Sequence, residues 1–96
     1  MARLIFSPQR AQWISEEQWH PNQVGEFLTD GRYQLDIPYS HERELLMEIL
    51  KNGADVEVVS PISLRMATQK MLQETLAKYT NAPNAAPDKG FSGVVE

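Results

Sequence analysis

Hydrophobic and polar residues alternate in two stretches of the chain, and each alternation predicts a β-strand. In "ARLIF" (2–6) and "RYQLDIPY" (32–39), every second side chain is apolar. A period of two is typical of a strand with one buried face. The side chains expected to face the core are Ala2, Leu4, Phe6, Tyr33, Leu35, Ile37 and Tyr39.

Two weaker strand signals complete the predicted sheet. "QVGEFL" (23–28) is followed by Asp30-Gly31, a hairpin signal because glycine accepts the positive φ of a tight turn. "DVEVVS" (55–60) alternates again and directs Val56 and Val58 inward. We therefore expect four strands, with a hairpin joining the second to the third.

The first helix is predicted between residues 7 and 19. Ser7 is a favourable N-cap, and Pro8 suits the first helical position, where its missing N–H costs nothing. Pro21 cannot donate the hydrogen bond that would continue the helix. We expect the helix to end near Trp19.

The segment after this helix, "EEQWHPNQ", joins a tryptophan, a histidine and a proline. Proline disfavours helical geometry at the residue before it, here His20. We expect Trp19 to fold over the helix end, and His20 and Gln23 to bond carbonyl groups left free there.

Two more helices are predicted by apolar residues at helical spacing. "SHERELLMEILKNG" (40–53) begins with Ser40 as the expected cap and ends at Gly53, which accepts a left-handed backbone. "PISLRMATQKMLQETLAKY" (61–79) follows. The stripes expected to be buried are Leu45, Leu46, Ile49 and Leu50 in the former helix and Leu64, Thr68, Met71, Leu72, Thr75, Leu76 and Tyr79 in the latter.

The predicted order is β-α-β-β-α-β followed by an extra helix. Right-handed crossovers and one hairpin convert that order into an α+β fold, the ferredoxin-like split βαβ plait (βαββαβ). We expect one domain over residues 1–79, including the additional C-terminal helix. Residues 80–96, rich in proline, glycine and small residues, are expected to form a flexible C-terminal tail.

Composition and charge exclude several classes of protein. The chain has 96 residues, no cysteine and a formal net charge of −4. Nucleic-acid binders normally carry a basic surface, so direct DNA binding by this chain is not expected. No apolar run approaches the roughly 18 residues of a membrane span, and no secretory leader is recognisable. We expect a cytoplasmic protein.

The candidate chemical groups do not form a reactive set. Glu16 and His20 are four residues apart, but a zinc site needs three or four ligands. Ser40, His41 and Glu42 resemble a catalytic trio only in sequence, because adjacent helical residues point in different directions. We expect no metal, no cofactor and no enzymatic activity.

One face of the predicted sheet carries polar residues and remains free unless the third helix or a partner covers it. Aromatic side chains fall on the opposite, core face, so this free face is not a base-stacking platform for RNA. It suits a protein partner or a small anion. The residues predicted to contact a ligand or partner are Arg3, Arg32 and Arg65, with Trp19, His20 and Gln23 at the helix corner.

The runs "FSPQRAQWISEEQWHPNQ" and "LTDGRYQLDIPYSHERELLMEILKNGADVEVVSPISLR" together resemble a known module. They are similar to the C-terminal extension, called WCX, of WYL-domain transcriptional regulators. The positions that carry the resemblance are Phe6, Ala11, Trp19, His20, Pro21, Gln23, Asp30, Gly31, Gly53, Val56, Pro61, Leu64 and Arg65.

This resemblance implies a place in a prokaryotic regulator. Such proteins carry a winged helix-turn-helix that binds DNA, a WYL domain that senses a nucleotide or nucleic-acid effector, and then a ferredoxin-like extension. The extension borders the WYL pocket and often reaches the partner subunit of a homodimer. The resemblance thus implies a regulatory, dimer-forming module. The start of the chain directly on a strand leads us to expect a C-terminal fragment of a longer protein.

Two other classes remain open. A free-standing, amino-acid-sensing regulatory plait would bind its ligand at a glycine-containing loop after the first strand, but "FSPQR" has no glycine. An acylphosphatase-type enzyme would use an arginine in a phosphate-binding loop at the same place. Arg10 is the only candidate there, at a predicted helix start.

Overall fold

A four-stranded antiparallel sheet and three helices make up residues 1–80, the part of the chain that the computed structural model describes. In chain order the elements are β1 (Ala2–Phe6), α1 (Pro8–Ser15), β2 (Val24–Phe27), β3 (Tyr33–Ile37), α2 (Glu42–Lys51), β4 (Val56–Ser60) and α3 (Ile62–Thr80). The α+β class is confirmed. The predicted tail, residues 80–96, lies outside the described residues except for Thr80, which ends α3.

The strands lie in the order β2-β3-β1-β4, and every neighbouring pair is antiparallel. The two central strands are therefore β1 and β3, which pair Leu4 with Leu35. The register between β1 and β4 shifts between Arg3 and Leu4, where β4 contains a bulge or irregularity. Gly31 (φ 93°) and Gly53 (φ 56°) adopt the left-handed backbone that the hairpin and the end of α2 were predicted to need.

The core lies between one face of the sheet and the helices. Both clear alternations were predicted correctly, since the inward residues of β1 and β3 are buried. Tyr39 follows β3 and packs on the core while partly exposed. The buried cluster consists of Ala2, Leu4, Phe6, Ala11, Ile14, Tyr33, Leu35, Ile37, Leu45, Ile49, Val58 and Leu64.

Helix α1 ends earlier than predicted. Its last residue is Ser15, and the backbone N–H of Glu16 closes it by donating to carbonyls of the preceding turn. Ile14 is the last residue of α1 that reaches the core. The chain then leaves the helix, and Trp19 packs edge-on against Phe6, with ring centroids 5.7 Å apart. The prediction that α1 continues to Trp19 was wrong because this tertiary contact replaces the last turn.

The predicted cap of α2 was also wrong. His41, rather than Ser40, occupies the N-cap position, and its side chain makes no capping hydrogen bond. Glu42 and Glu44 lie in the first turn, where their negative charges complement the helix dipole. The acidic first turn therefore takes over part of the stabilisation expected of a serine cap.

Only the N-terminal part of the stripe predicted for α3 is buried. Leu64 and Thr68 are buried, whereas Leu72, Leu76 and Tyr79 are exposed. The helix has 19 residues and is about 28 Å long. The strand against which it packs, β4, has five residues and spans about 17 Å. The C-terminal half of α3 thus extends past the end of β4.

Candidate functional site

Gln23 organises the corner between α1 and β2. Its Oε1 accepts hydrogen bonds from the backbone N–H groups of Trp19 (2.7 Å) and His20 (3.1 Å). Its Nε2 donates to the carbonyl of Glu17 at 2.9 Å. One amide side chain therefore satisfies three backbone groups that a regular helix would have paired. The prediction that Gln23 bonds a free carbonyl at the helix end is confirmed.

The two ring residues of the corner are held differently. Trp19 is half-buried, and its Nε1–H donates to Glu17 at 3.0 Å. His20 does not bond a carbonyl through its ring, contrary to expectation. Instead its Nδ1 accepts the backbone N–H of Asn22 at 3.0 Å. In neutral His20 this bond assigns the proton to Nε2.

The sheet register brings this corner beside the end of β3. Val24, the first residue of β2, pairs with Asp36, so the residues before Val24 lie next to those after Ile37. Between them is an open cleft of about 210 Å³. Its lining consists of Trp19, His20, Ile37, Pro38, Tyr39, Ser40, His41, Glu44, Leu45 and Glu48.

Ser40 and His41 contact each other on one side of this cleft. Ser40 Oγ lies 3.1 Å from His41 Nδ1, so the prediction that these side chains diverge was wrong. Both residues precede the first turn of α2, where helical directions do not apply. Within residues 1–80 no acidic side chain is bonded to His41, so the contact lacks the third member of a catalytic triad.

Carboxylates line the α2 side of the cleft. Glu44 and Glu48 are one turn apart on the helix, and Glu48 forms an ion pair with Lys51 at 3.2 Å. In the described part of the chain, no group of three or more histidine, aspartate or glutamate side chains is arranged to hold a metal ion. The cleft therefore offers aromatic surface, imidazole and carboxylate groups without a preformed metal centre.

Each arginine predicted to contact a ligand is bonded to a different carboxylate. Arg3 pairs with Asp36 at 2.9 Å and Arg32 with Asp30 at 2.8 Å. The hydrogen bond from the Arg32 backbone, joined by one from its guanidinium, lowers the pKa of Asp30. These arginines do not converge on one shared anion.

Arg65 completes this set and also contacts the backbone of β4. Its Nη1 donates to Glu57 Oε2 at 2.8 Å and to the carbonyl of Val58 at 2.9 Å. Arg65 lies in α3, and Val58 lies in the edge strand of the sheet. The side chain thus joins α3 to the sheet edge.

The opposite end of the sheet has a second polar corner around Arg10. The guanidinium donates to Asn52 Oδ1 through Nε (3.2 Å) and Nη2 (2.9 Å), and it lies 5.4 Å from the ring centroid of Trp13. Ser7 Oγ donates to Asp55 Oδ1 at 2.8 Å in the same region. Arg10 thus ties the start of α1 to the end of α2.

Sequence patterns predicted contact roles for Trp19, His20 and Gln23 but did not place the residues on the other side of the cleft beside them. These are Tyr39, Ser40, His41, Glu44 and Glu48. The available signal was topological, because in this strand order the loop before β2 must lie beside the end of β3. Local sequence patterns carry no such signal.

None of the helices within residues 1–80 is both long and apolar enough to span a membrane.

Comparison with known proteins identifies the family. No curated protein gives a significant match to the chain. The family model of the WCX domain matches residues 1–76, which is most of the 96-residue chain. Together with the α+β architecture and the corner at Trp19, this match shows that the chain belongs to the WCX domain family.

Proposed function

We propose that this chain is the C-terminal regulatory and dimer-forming module of a prokaryotic WYL-type transcriptional regulator. The observation that carries the proposal is the WCX match over residues 1–76. In this proposal a winged helix-turn-helix and a WYL domain of the same protein precede the module. The WYL domain binds the nucleotide or nucleic-acid effector, and the module helps to sense it.

The strand order supports the ferredoxin-like assignment within this proposal. A split βαβ plait places the fourth strand beside the first and the third beside the second. The order β2-β3-β1-β4, with antiparallel neighbours, agrees with that arrangement. In the proposed architecture α3 is an addition to the plait.

The charge distribution supports a role without direct DNA binding. The formal net charge is −4, and Arg3, Arg32 and Arg65 each pair with a carboxylate. Strong phosphate contacts would require these arginines to exchange partners. We assign DNA binding to the winged helix-turn-helix, place the regulator in the cytoplasm and infer no enzymatic activity for the module.

Two surfaces suit contacts with the rest of the regulator. The cleft beside Trp19 is assigned to the side of the module that faces the WYL domain. The exposed distal face of α3, formed by Leu72, Leu76 and Tyr79, is assigned to the homodimer. Exposed apolar clusters often mark protein contacts, and Tyr79 is 77% exposed.

The test uses the full-length protein encoded by the gene. We expect roughly 200 residues before this chain, the length of two further domains. Fluorescence anisotropy would measure DNA binding by the full-length protein and by this chain alone, with mononucleotides and short single-stranded DNA as effectors. We expect only the full-length protein to bind DNA and its affinity to respond to an effector.

Variants at the cleft test whether the module takes part in sensing. His41→Ala and Glu44→Gln change exposed cleft residues and should weaken the response to effector without abolishing DNA binding. Glu74→Gln on α3 is the matched control. DNA binding by the isolated chain, or an effector response that cleft variants leave intact, would contradict the proposal.

A further inference from the structure

The two edges of the sheet are protected to different degrees. At the β4 edge, α3 packs alongside, and Arg65 donates to the carbonyl of Val58. At the β2 edge, all four residues Val24–Phe27 are exposed. No side-chain hydrogen bond within residues 1–80 involves a residue of β2. Helix α1 contacts β2, but within residues 1–80 neither α3 nor an arginine side chain covers the β2 edge as they cover the β4 edge.

The backbone of β2 presents unpaired groups at this edge. The N–H of Leu28 donates to the carbonyl of Arg32 at 2.7 Å, so these two residues form a hydrogen-bonded pair. Antiparallel pairs alternate, so Glu26 also bonds towards β3. Gly25 and Phe27 then direct their N–H and C=O groups away from the sheet. These groups form a template for one additional strand.

The side chains around this template differ between the two faces. Glu26 pairs with Gln34 on the face without helices and forms no ion pair within residues 1–80. On the core face, Phe27 is 53% exposed and packs edge-on against Tyr33, with centroids 5.0 Å apart. Gly25 leaves room for the same Tyr33 ring. An added strand would meet a carboxylate on one face and aromatic rings on the other.

We propose that the β2 edge binds an extended segment of another polypeptide with the pattern apolar–basic–apolar. Its central Lys or Arg lies opposite Glu26, where cross-strand side chains are closest. The apolar neighbours pair with Gly25 and Phe27 and pack on the aromatic side. Backbone hydrogen bonds supply affinity, and the alternating side chains supply specificity. This proposal does not rest on the regulatory function proposed above.

A second copy of the chain fits this edge poorly. The register that pairs Gly25 with Phe27 of a second copy places two Glu26 side chains opposite each other, which is unfavourable. The register centred on Gly25 would also use Gln23, but the Gln23 N–H already donates to the carbonyl of His20 at 3.1 Å. Charge disfavours the first of these registers and hydrogen bonding the second, so a different partner fits the edge better than either arrangement.

The rest of this chain does not supply the segment either. Residues 81–96 contain one basic residue, Lys89, between Asp88 and Gly90, and this is not the required pattern. Ala2-Arg3-Leu4 has the pattern but already forms part of the central strand β1. Leu64-Arg65-Met66 and Ala77-Lys78-Tyr79 also have it but lie in helix α3 and are not extended. The segment must therefore come from outside these 96 residues.

The test measures peptide binding to the ¹⁵N-labelled 96-residue chain. The probe is acetyl-Thr-Val-Arg-Val-Thr-amide, with the same peptide carrying Glu in place of Arg as its control. We expect amide shifts and slowed hydrogen exchange at Gly25 and Phe27 and no change at Val58. The Glu peptide should bind about tenfold more weakly. Shifts that map elsewhere, or no binding at millimolar peptide, overturn the proposal.

Variants separate the contributions of charge and backbone. Glu26→Lys should reverse the preference between the two peptides, whereas Glu74→Lys makes the same charge change on α3 and should leave it unaltered. Phe27→Pro removes an edge N–H and should weaken binding more than Phe27→Ala, which keeps it. Spectra of each free variant establish that it is folded. The proposed occupant is wrong if Glu26→Lys leaves the preference between the two peptides unaltered. It is also wrong if the chain forms a dimer that Phe27→Pro dissociates.

Discussion

Arg3 and Asp36 lie directly opposite each other on the two central strands and form a bidentate ion pair. Arg3 Nε donates to Asp36 Oδ1 at 2.9 Å, and Nη2 donates to Oδ2 at 3.0 Å. The hydrogen bonds from Arg3, together with its positive charge, lower the pKa of Asp36. The same pair raises the pKa of Arg3. The planar guanidinium thus fixes a cross-strand contact on the face without helices.

This ion pair predicts an acid-dependent contribution to stability. Because the pKa of Asp36 is lower in the folded state, its contribution is present above the ordinary carboxyl pKa and is lost as the pH falls through the folded value. Asp36→Asn should reduce the free energy of unfolding at neutral pH by up to about 1 kcal/mol, since Arg3 is partly exposed. Urea denaturation at several pH values from neutral to strongly acidic measures this loss in the free energy of unfolding, and Glu74→Gln is the control. An equal loss for Asp36→Asn at low pH would contradict the electrostatic origin.

Gly25 and Tyr33 predict a steric effect in the β2–β3 hairpin. A Cβ atom added at Gly25 would overlap the hydroxyl and ring of Tyr33. Gly25→Ala should therefore lower the free energy of unfolding by about 1–3 kcal/mol, as overpacking does elsewhere. Chemical denaturation measures the loss. In a double-mutant cycle, Tyr33→Phe removes the hydroxyl and should restore part of it. Additive effects of the two changes would show that the overlap is relieved in another way.

Among the polar residues of the corner, Gln23 is expected to cause the largest loss in the free energy of unfolding when it is replaced. Gln23→Ala leaves the N–H groups of Trp19 and His20 and the carbonyl of Glu17 without this partner. The expected loss is about 1–3 kcal/mol in the free energy of unfolding. Trp19 fluorescence should also shift towards that of an exposed indole. Gln12→Ala, which removes a surface bond to Glu16, is the control. A loss no larger than that of the control would contradict the organising role.

Local patterns were sufficient to predict the core of the sheet. Leu4 and Leu35 occupy the centres of two clear alternations, and both are fully buried. Gly31 and Gly53 were recognised because each needs a backbone conformation that side chains disfavour. These features depend on neighbouring residues alone. That is why the sequence determines them.

Features that depend on distant residues were not predicted. The end of α1 is set by the packing of Trp19 on Phe6, and proline at position 21 indicated a boundary four residues too late. The cleft requires Trp19 and His41 to meet across the β2–β3 register. The exposure of Leu76 depends on the length of β4 relative to α3. Each depends on a tertiary contact rather than on a local period.

Leu64 and Leu76 test the two halves of α3. Both belong to the predicted stripe, but Leu64 is fully buried and Leu76 is 60% exposed. Leu64→Ala should lower the free energy of unfolding by about 2–5 kcal/mol, because it opens a cavity in the core. Leu76→Ala should change the free energy of unfolding by about 0.5 kcal/mol or less.

If the distal face of α3 forms the homodimer, Leu76→Glu should lower the mass measured by light scattering while thermal unfolding at low concentration is unaffected. A large loss of monomer stability on Leu76→Ala would contradict its exposure, and an unaltered mass for a dimeric chain would place the dimer contact elsewhere.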